Sequence, residues 1–386
     1  MKALFIEIQD PDIYIKHIVH KVSGLKLSNI LVTTRHLIEI VSDRGIEDCA
    51  SCLALQYIKN NNINFFFNHQ SEAFQQSFIE LMNNLANLVM SKCDITVDKF
   101  HLVSGAVNSP RNISIYKKLC QEYSWHQFPL WLDDFWETMT VSKLAKFEID
   151  YSKKSKRILC FNGVARVHRI AAVCEMYKRN ILDKVYLSIN LKQGEIDAFP
   201  HHEREFISMF GYENTKQYKE ILDKNRNDFP RTLTLTNNIN NAYTINDDDK
   251  KLFKDTVVSL VNETVFSSRD PRKSLFRDLL TYPCTFATEK FWKTFQGFHP
   301  FIVLSTPHYL KDIRNLGYRT FSPYIDESYD DVENDTLRFK KVMDEVERIA
   351  NMTDNQVYDF QQNVSKILQF NYKMMKTKKP TFVRVL

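Results

Sequence analysis

Over the first 150 residues, short apolar runs alternate with longer amphipathic ones. ALFIEI, SNILVTT, INFFFNH and KFHLVSGAV are contiguous apolar stretches of strand length, and they predict β-strands. IEDCASCLALQYIKNN, SEAFQQSFIELMNNLANLVMSK and ISIYKKLCQEY carry apolar residues three to four apart, which predicts helices. Ser71 offers an N-cap to the second of these, because a serine oxygen accepts from a first-turn N–H. Strands that alternate with helices predict a largely parallel, layered sheet.

The rhythm breaks at EIDYSKKSKR (148–157), which is polar, basic and without apolar period, so a domain boundary is expected there. A second alternation follows. RILCFNG, KVYLSIN, DTVVSLVNETVF, PFIVLS and YRTF read as strands. RVHRIAAVCEMYKRN, TEKFWKTFQ and TPHYLKDIRNLG read as helices, the last ending at Gly317. Residues 193–255 are harder to assign, with an acidic and a basic helix-like stretch and a polar NNINNAYTINDDDKK segment expected as an exposed loop. Two amphipathic helices, near 335–350 and 354–371, precede a basic tail. The fold expected is α/β, two Rossmann-like domains facing a cleft: 1–150, 157–350, and a C-terminal helix and tail (351–386) packing back on the first domain.

Composition narrows the class. With 386 residues the chain is too long for one ordinary core, and 44% hydrophobic with 26% charged residues is the balance of a folded soluble protein. No run of about 18 apolar residues occurs, so no membrane span is expected. The opening MKALFIEIQDPDIY is too short and interrupted for a signal peptide. Seven scattered cysteines fit a reducing compartment, and a cytoplasmic location (the host cytoplasm for a viral chain) is expected. Cys49 and Cys52 have CxxC spacing but no second ligand pair, so buried thiols are expected and no metal. The net charge of +5 permits a phosphate-rich partner without demanding one.

In open α/β sheets ligands bind beyond the carboxyl ends of the strands, so residues just after strands carry the candidate chemistry. Arg166, His168 and Arg169 follow the strand ending at Phe161 and sit at a helix start, where cations are unfavourable without an anion to offset them. Glu263 closes an apolar strand and is placed to accept from sugar hydroxyls. Thr288 caps a helix whose first turn holds Glu289 and Lys290; a phosphate would account for the lysine. Asp326, Glu327, Asp330 and Asp331 cluster without the glycine or spacing of a calcium loop, and a solvated acidic turn is expected. The P-loop, G-x-G-x-x-G, H-E-x-x-H and G-x-S-x-G patterns are all absent.

The order FNGVARVHR, ETVF, TEKFWKTFQGFHPFIVLSTPHYLKDIRNLGYRTF, IDESYD resembles a family of glycosyltransferases common in phage and large-virus genomes. The TEK element also resembles that of fucosyltransferase-like enzymes of the GT-B fold. The resemblance spans about residues 157–350. It implies a UDP- or GDP-sugar as donor substrate, with no cofactor and no metal. Glu289 would then contact the ribose and Lys290 the diphosphate, with Arg166 or Arg169 opposite and Glu263 toward the sugar or nucleotide. An inverting reaction would need a base from the first domain, for which His69, Glu72, Asp133 and Asp134 are candidates. The acceptor expected is double-stranded DNA with a hydroxymethylated base, favoured by the basic stretch 153–157 and the basic tail; Trp125, Phe128, Trp131 and Trp136 could serve a flipped base, but core packing is the role expected of them. A glycan acceptor, or a nucleotide-sugar-binding protein without turnover, is the alternative.

Overall fold

The structure, a computed structural model, describes residues 148–377 apart from 198, 232–244, 246 and 269–282. Before residue 148 it describes four strands and a few single positions. The chain forms two compact units, one of residues 1–130, 280–284 and 380–386, the other of 131–279 and 285–379.

In the first unit, β1 (Asn29–Thr33), β2 (Asn64–His69), β3 (Phe100–Ser104) and β4 (Ser124–Gln127) form a parallel sheet in sequential order. Phe66 of β2 lies opposite Leu31 on one side and His101 on the other. The first three match the apolar runs. β4, SWHQ, was not anticipated, because Trp125 is its only large apolar residue and no run announces it. The ALFIEI run and Cys49 and Cys52 lie outside the described residues, as do Phe128, Trp131 and Trp136.

The second unit has its own parallel sheet, of order β6-β5-β7-β8, from β5 (Ile158–Val164), β6 (Val185–Asn190), β7 (Val258–Asn262) and β8 (Phe301–Leu304). Every residue of β7 and β8 is buried, as expected of parallel strands covered on both faces. The helices are α1 (Val167–Lys178), α2 (Gln193–Asp197), α3 (Phe199–Phe210), α4 (Tyr212–Lys224), α5 (Asp247–Lys254), α6 (Glu289–Gln296), α7 (Tyr309–Asn315), α8 (Asp335–Ala350) and α9 (Asp354–Thr377). Aromatic residues fill the core. Phe291 of α6 lies 4.7 Å from Phe301 of β8, and Phe295 stacks on Tyr318 at 5.0 Å.

Three sequence expectations change. The helix-like stretches within 193–255 fold into α2, α3 and α4 as expected, but the DDDKK end of the segment expected as a loop (247–251) opens α5. The YRTF strand does not form: Asn371 of α9 bonds both the N–H and the C=O of Arg319, and Glu327 takes the Phe321 N–H. Side chains thus satisfy this backbone where a strand partner would have done so. The basic run at 153–157 is held within the second unit. Lys154 is buried and donates to the carbonyls of Asp150 and Lys254, and Arg157 donates to Met352 O and to Asp354. The last helix, α9, packs on α6 and on the 318–321 segment of the same unit.

Arg338 of α8 ties the carboxyl edge of this sheet together. It is buried and donates to Phe266 O beyond β7, to Ser305 O beyond β8, to Val332 O and to the Asp335 carboxylate. Arg338→Met would leave those acceptors and Asp335 without their cation. It is expected to cost about 3–5 kcal/mol in urea denaturation, the range for breaking a buried ion pair; a cost below about 1 kcal/mol would show that the edge does not depend on it.

Candidate functional site

The chain passes from β5 outward to β6, then crosses to the opposite side of β5 for β7 and β8. That reversal sets the carboxyl ends of β5 and β7 side by side at a topological switch point, the position where open α/β sheets receive ligands. Three helices begin at this edge. α1 follows β5 directly, α7 follows β8, and α6 is anchored here through its N-cap, Thr288. The N-termini of α1 and α6 bring partial positive charge to this edge, while that of α7 is met by the Asp330 carboxylate.

An inner layer of buried polar groups holds the edge. Glu263 has no exposed surface. One carboxylate oxygen accepts from the Thr288 N–H (3.0 Å) and the Tyr309 hydroxyl (3.0 Å), the other from the Thr288 hydroxyl (2.8 Å). The carboxylate therefore clamps the starts of α6 and α7 to the end of β7. Thr288 caps α6 through its backbone carbonyl, which accepts from the N–H groups of Phe291 and Trp292; its hydroxyl is committed to Glu263 and makes no cap bond. The place expected for Glu263 toward a sugar hydroxyl is not where it lies, since all its oxygen capacity faces inward. His168 and Arg169 are also buried. The His168 Nε2–H donates to Glu263 O at 2.9 Å, and its ring stacks on Phe266. Arg169 donates to Val164 O, Asn262 O and Glu263 O, bracketing the ends of β5 and β7. Between the two strands the Asn262 side-chain N–H donates to Asn162 Oδ1 at 2.9 Å.

An outer layer remains half-buried: Arg166, Glu289 and Lys290. Arg166 is the N-cap residue of α1 but makes no side-chain cap, and the first turn of α1 holds no acid. Lys290 donates to Glu289 at 2.6 Å and reaches the Thr288 hydroxyl at 3.5 Å. Burial raises the Glu289 carboxyl, but the Lys290 ammonium overrides this and holds it below the usual value. Burial, then the charges of Arg169, Arg166 and Arg338, push the His168 imidazole well below its ordinary range, so it stays neutral. Val164 stands at the end of β5 with 65% of its surface exposed, beside exposed Gly163.

Of the seven residues assigned to a donor, four (His168, Arg169, Glu263, Thr288) build the framework, and three (Arg166, Glu289, Lys290) form its accessible face. Among the base candidates, His69 is the last residue of β2, opposite Ser104 of β3. Glu72, Asp133 and Asp134 lie outside the described residues. The acidic cluster is not a wholly solvated turn. Asp330 is buried and caps α7 by accepting from Leu310 N–H and Lys311 N–H. Glu327 accepts from Phe321 N–H, the Thr320 hydroxyl and Arg314. Among the described residues no group of three His, Cys, Asp or Glu side chains is arranged to hold a metal, and no helix is long and apolar enough to cross a membrane. Asn162, Asn262, Tyr309 and Val164 join the site without having been singled out. Asn162 and Asn262 carried a usable signal, as polar residues inside otherwise apolar strand runs.

No family model, no curated protein and no solved structure matches the chain.

The clamp predicts a pH dependence. Burial lifts the Glu263 carboxyl above its ordinary 4.5, against the pull of Lys290 and the Thr288 hydrogen bonds. The folded state then binds more protons than the unfolded state in the window above that value. Stability contributed by Glu263 is accordingly expected to fall as pH rises from 4.5 through the raised folded pKa. Denaturation midpoints should show wild type losing stability relative to Glu263→Gln over this window; a relative gain would contradict the assignment.

Proposed function

We propose that the second unit binds the diphosphate of a UDP- or GDP-sugar at the carboxyl ends of β5 and β7, and that the protein is a nucleotide-sugar-dependent glycosyltransferase of GT-B type. The observation that carries the reading is the meeting of two helix starts, those of α1 and α6, with Arg166, Arg169 and Lys290 at the strand-order reversal. A leaving diphosphate needs this neutralisation, and fixed dipoles and cations supply it without reorganising. In the proposed reaction the bond from the sugar's anomeric carbon to the diphosphate breaks and one to an acceptor oxygen forms. The acceptor proton passes to a base, for which His69, Glu72, Asp133 and Asp134 are the candidates. Transfer of a sugar, as opposed to binding of a nucleotide alone, rests on the resemblance of the FNGVARVHR and TEK elements.

The acceptor reading shifts. Within the basic run once taken as favouring DNA, Lys154 and Arg157 are tied to carbonyls and to Asp354, and Lys156 donates to Asp183 O. Those residues are spent on folding, so a glycan acceptor stands level with a hydroxymethylated base in double-stranded DNA.

Calorimetry with UDP, GDP and their sugars tests the donor site. Arg166→Ala and Lys290→Ala are each expected to weaken diphosphate binding by about tenfold or more, the worth of one charge-assisted hydrogen bond, without lowering the denaturation midpoint. Unchanged affinity in both variants would remove the assignment. Transfer assays that offer the same donors to hydroxymethylated DNA and to glycans separate the acceptors.

A further inference from the structure

At the opposite, amino end of the same sheet lies a second feature that the donor reading does not use. A cavity of about 220 Å³ is enclosed by Phe253 of α5, the Gly297–Pro300 segment before β8, and Gln361, Val364 and Leu368 of α9. Three features define it, and the first marks it as more than a packing gap. Gln361 is buried, and its Oε1 has no hydrogen-bond partner, while its Nε2 makes only a long bond to Asp150 O at 3.4 Å. A buried orphan acceptor is uncommon and calls for a donor. Phe298, on the cavity wall, is the left-handed residue (φ of 51°) that ends α6: its N–H donates to Phe295 O and the His299 N–H to Thr294 O, which fixes this wall. Gly297 is needed for close packing: a Cβ there would meet Phe253 at 2.5 Å, so the Phe253 ring keeps its place against the wall only because that carbon is missing.

The lining defines the ligand. Phe253, Phe298, Val364 and Leu368 offer apolar and aromatic surface. Two of the buried polar groups that line it are already bonded: Lys154 donates to two carbonyls, and His299 pairs with the hydroxyls of Ser259 and Thr256. Of the charged lining residues Glu148, Lys250 and Lys254 are exposed to solvent, and the buried Lys154 is tied to Asp150 and to two carbonyls, so none is left over to hold a charged ligand inside. An apolar cavity of about 150 Å³ takes benzene, so by proportion this one takes about nine ring atoms. We infer that it binds a neutral, flat, bicyclic heteroaromatic of indole size, whose ring N–H donates to Gln361 Oε1. A purine has the size but brings several ring nitrogens for which the walls have no free partner.

Indole and benzothiophene, the latter of the same shape but without the N–H, are the probes, titrated into the full chain and followed by ligand-detected NMR. Wild type is expected to bind both saturably and to prefer indole by about tenfold, the worth of one buried hydrogen bond. Gln361→Met should abolish that preference while retaining benzothiophene binding. Val364→Phe, which fills the cavity, should abolish binding of both probes. Because a filled core can unfold, its denaturation midpoint is measured alongside, and Leu368→Phe repeats the test from another wall. No saturable binding by wild type, an indole preference that survives Gln361→Met, or binding unchanged in two folded filling variants would each overturn the inference. Diphosphate binding is read separately, so the donor proposal stands or falls independently.

Discussion

A carboxylate with no exposed surface must find a donor for each oxygen within the protein, and Glu263 meets that demand in a way that organises its whole unit. It sits one residue beyond β7 and draws in the N–H and hydroxyl of Thr288 and the hydroxyl of Tyr309. Thr288 is the N-cap of α6, and Tyr309 opens α7. One side chain therefore sets where two helices begin. Its own backbone carbonyl does the same for α1, by accepting from His168 and Arg169. A buried acid is costly unless paired and bonded; here the cost is offset by three donors and by the positive ends of the helices it gathers.

Two layers result, with different duties. The inner one is buried and hydrogen-bonded: the neutral His168, the bracketing Arg169, the paired Asn162 and Asn262, and Thr288. The outer one, Arg166, Glu289 and Lys290, keeps charge within reach of solvent. Arg169 contributes in both senses. Its hydrogen bonds are spent on carbonyls, yet a guanidinium stays charged, so its field still acts on what binds at this edge. Pre-set donors and charges of this kind do not have to reorganise when an anion arrives.

Much of this framework was readable from residue pattern. Strands such as ILCFNG and FIVL are apolar runs of the right length, and the helices of 335–350 and 354–371 show their period plainly. What could not be read was which polar residues face inward. Glu263 and Thr288 look in sequence like a strand-end acid and an ordinary helix cap; only their meeting across 25 positions turns them into one clamp. SWHQ forms β4 with no apolar run because a neighbouring strand supplies its pairing. YRTF carries strand-forming residues yet stays irregular, because Asn371 and Glu327, distant in sequence or bent back upon it, take its backbone groups. The lysines and arginine of 154–157 read as a charged linker, and their carbonyl partners at Lys254 and Met352 lie far along the chain. Local propensity says little about contacts of that span.

The central claim is that the carboxyl edge of β5 and β7 is a preformed diphosphate site. Hydrogen–deuterium exchange with and without UDP or GDP tests it most directly. Amide exchange is expected to slow at residues 163–169 and 288–291, where the three cations and two helix starts would meet the ligand, and to stay unchanged in the already buried β7 and β8. Exchange that is unaltered at both segments under saturating nucleotide, or protection confined to other parts of the chain, would contradict the account.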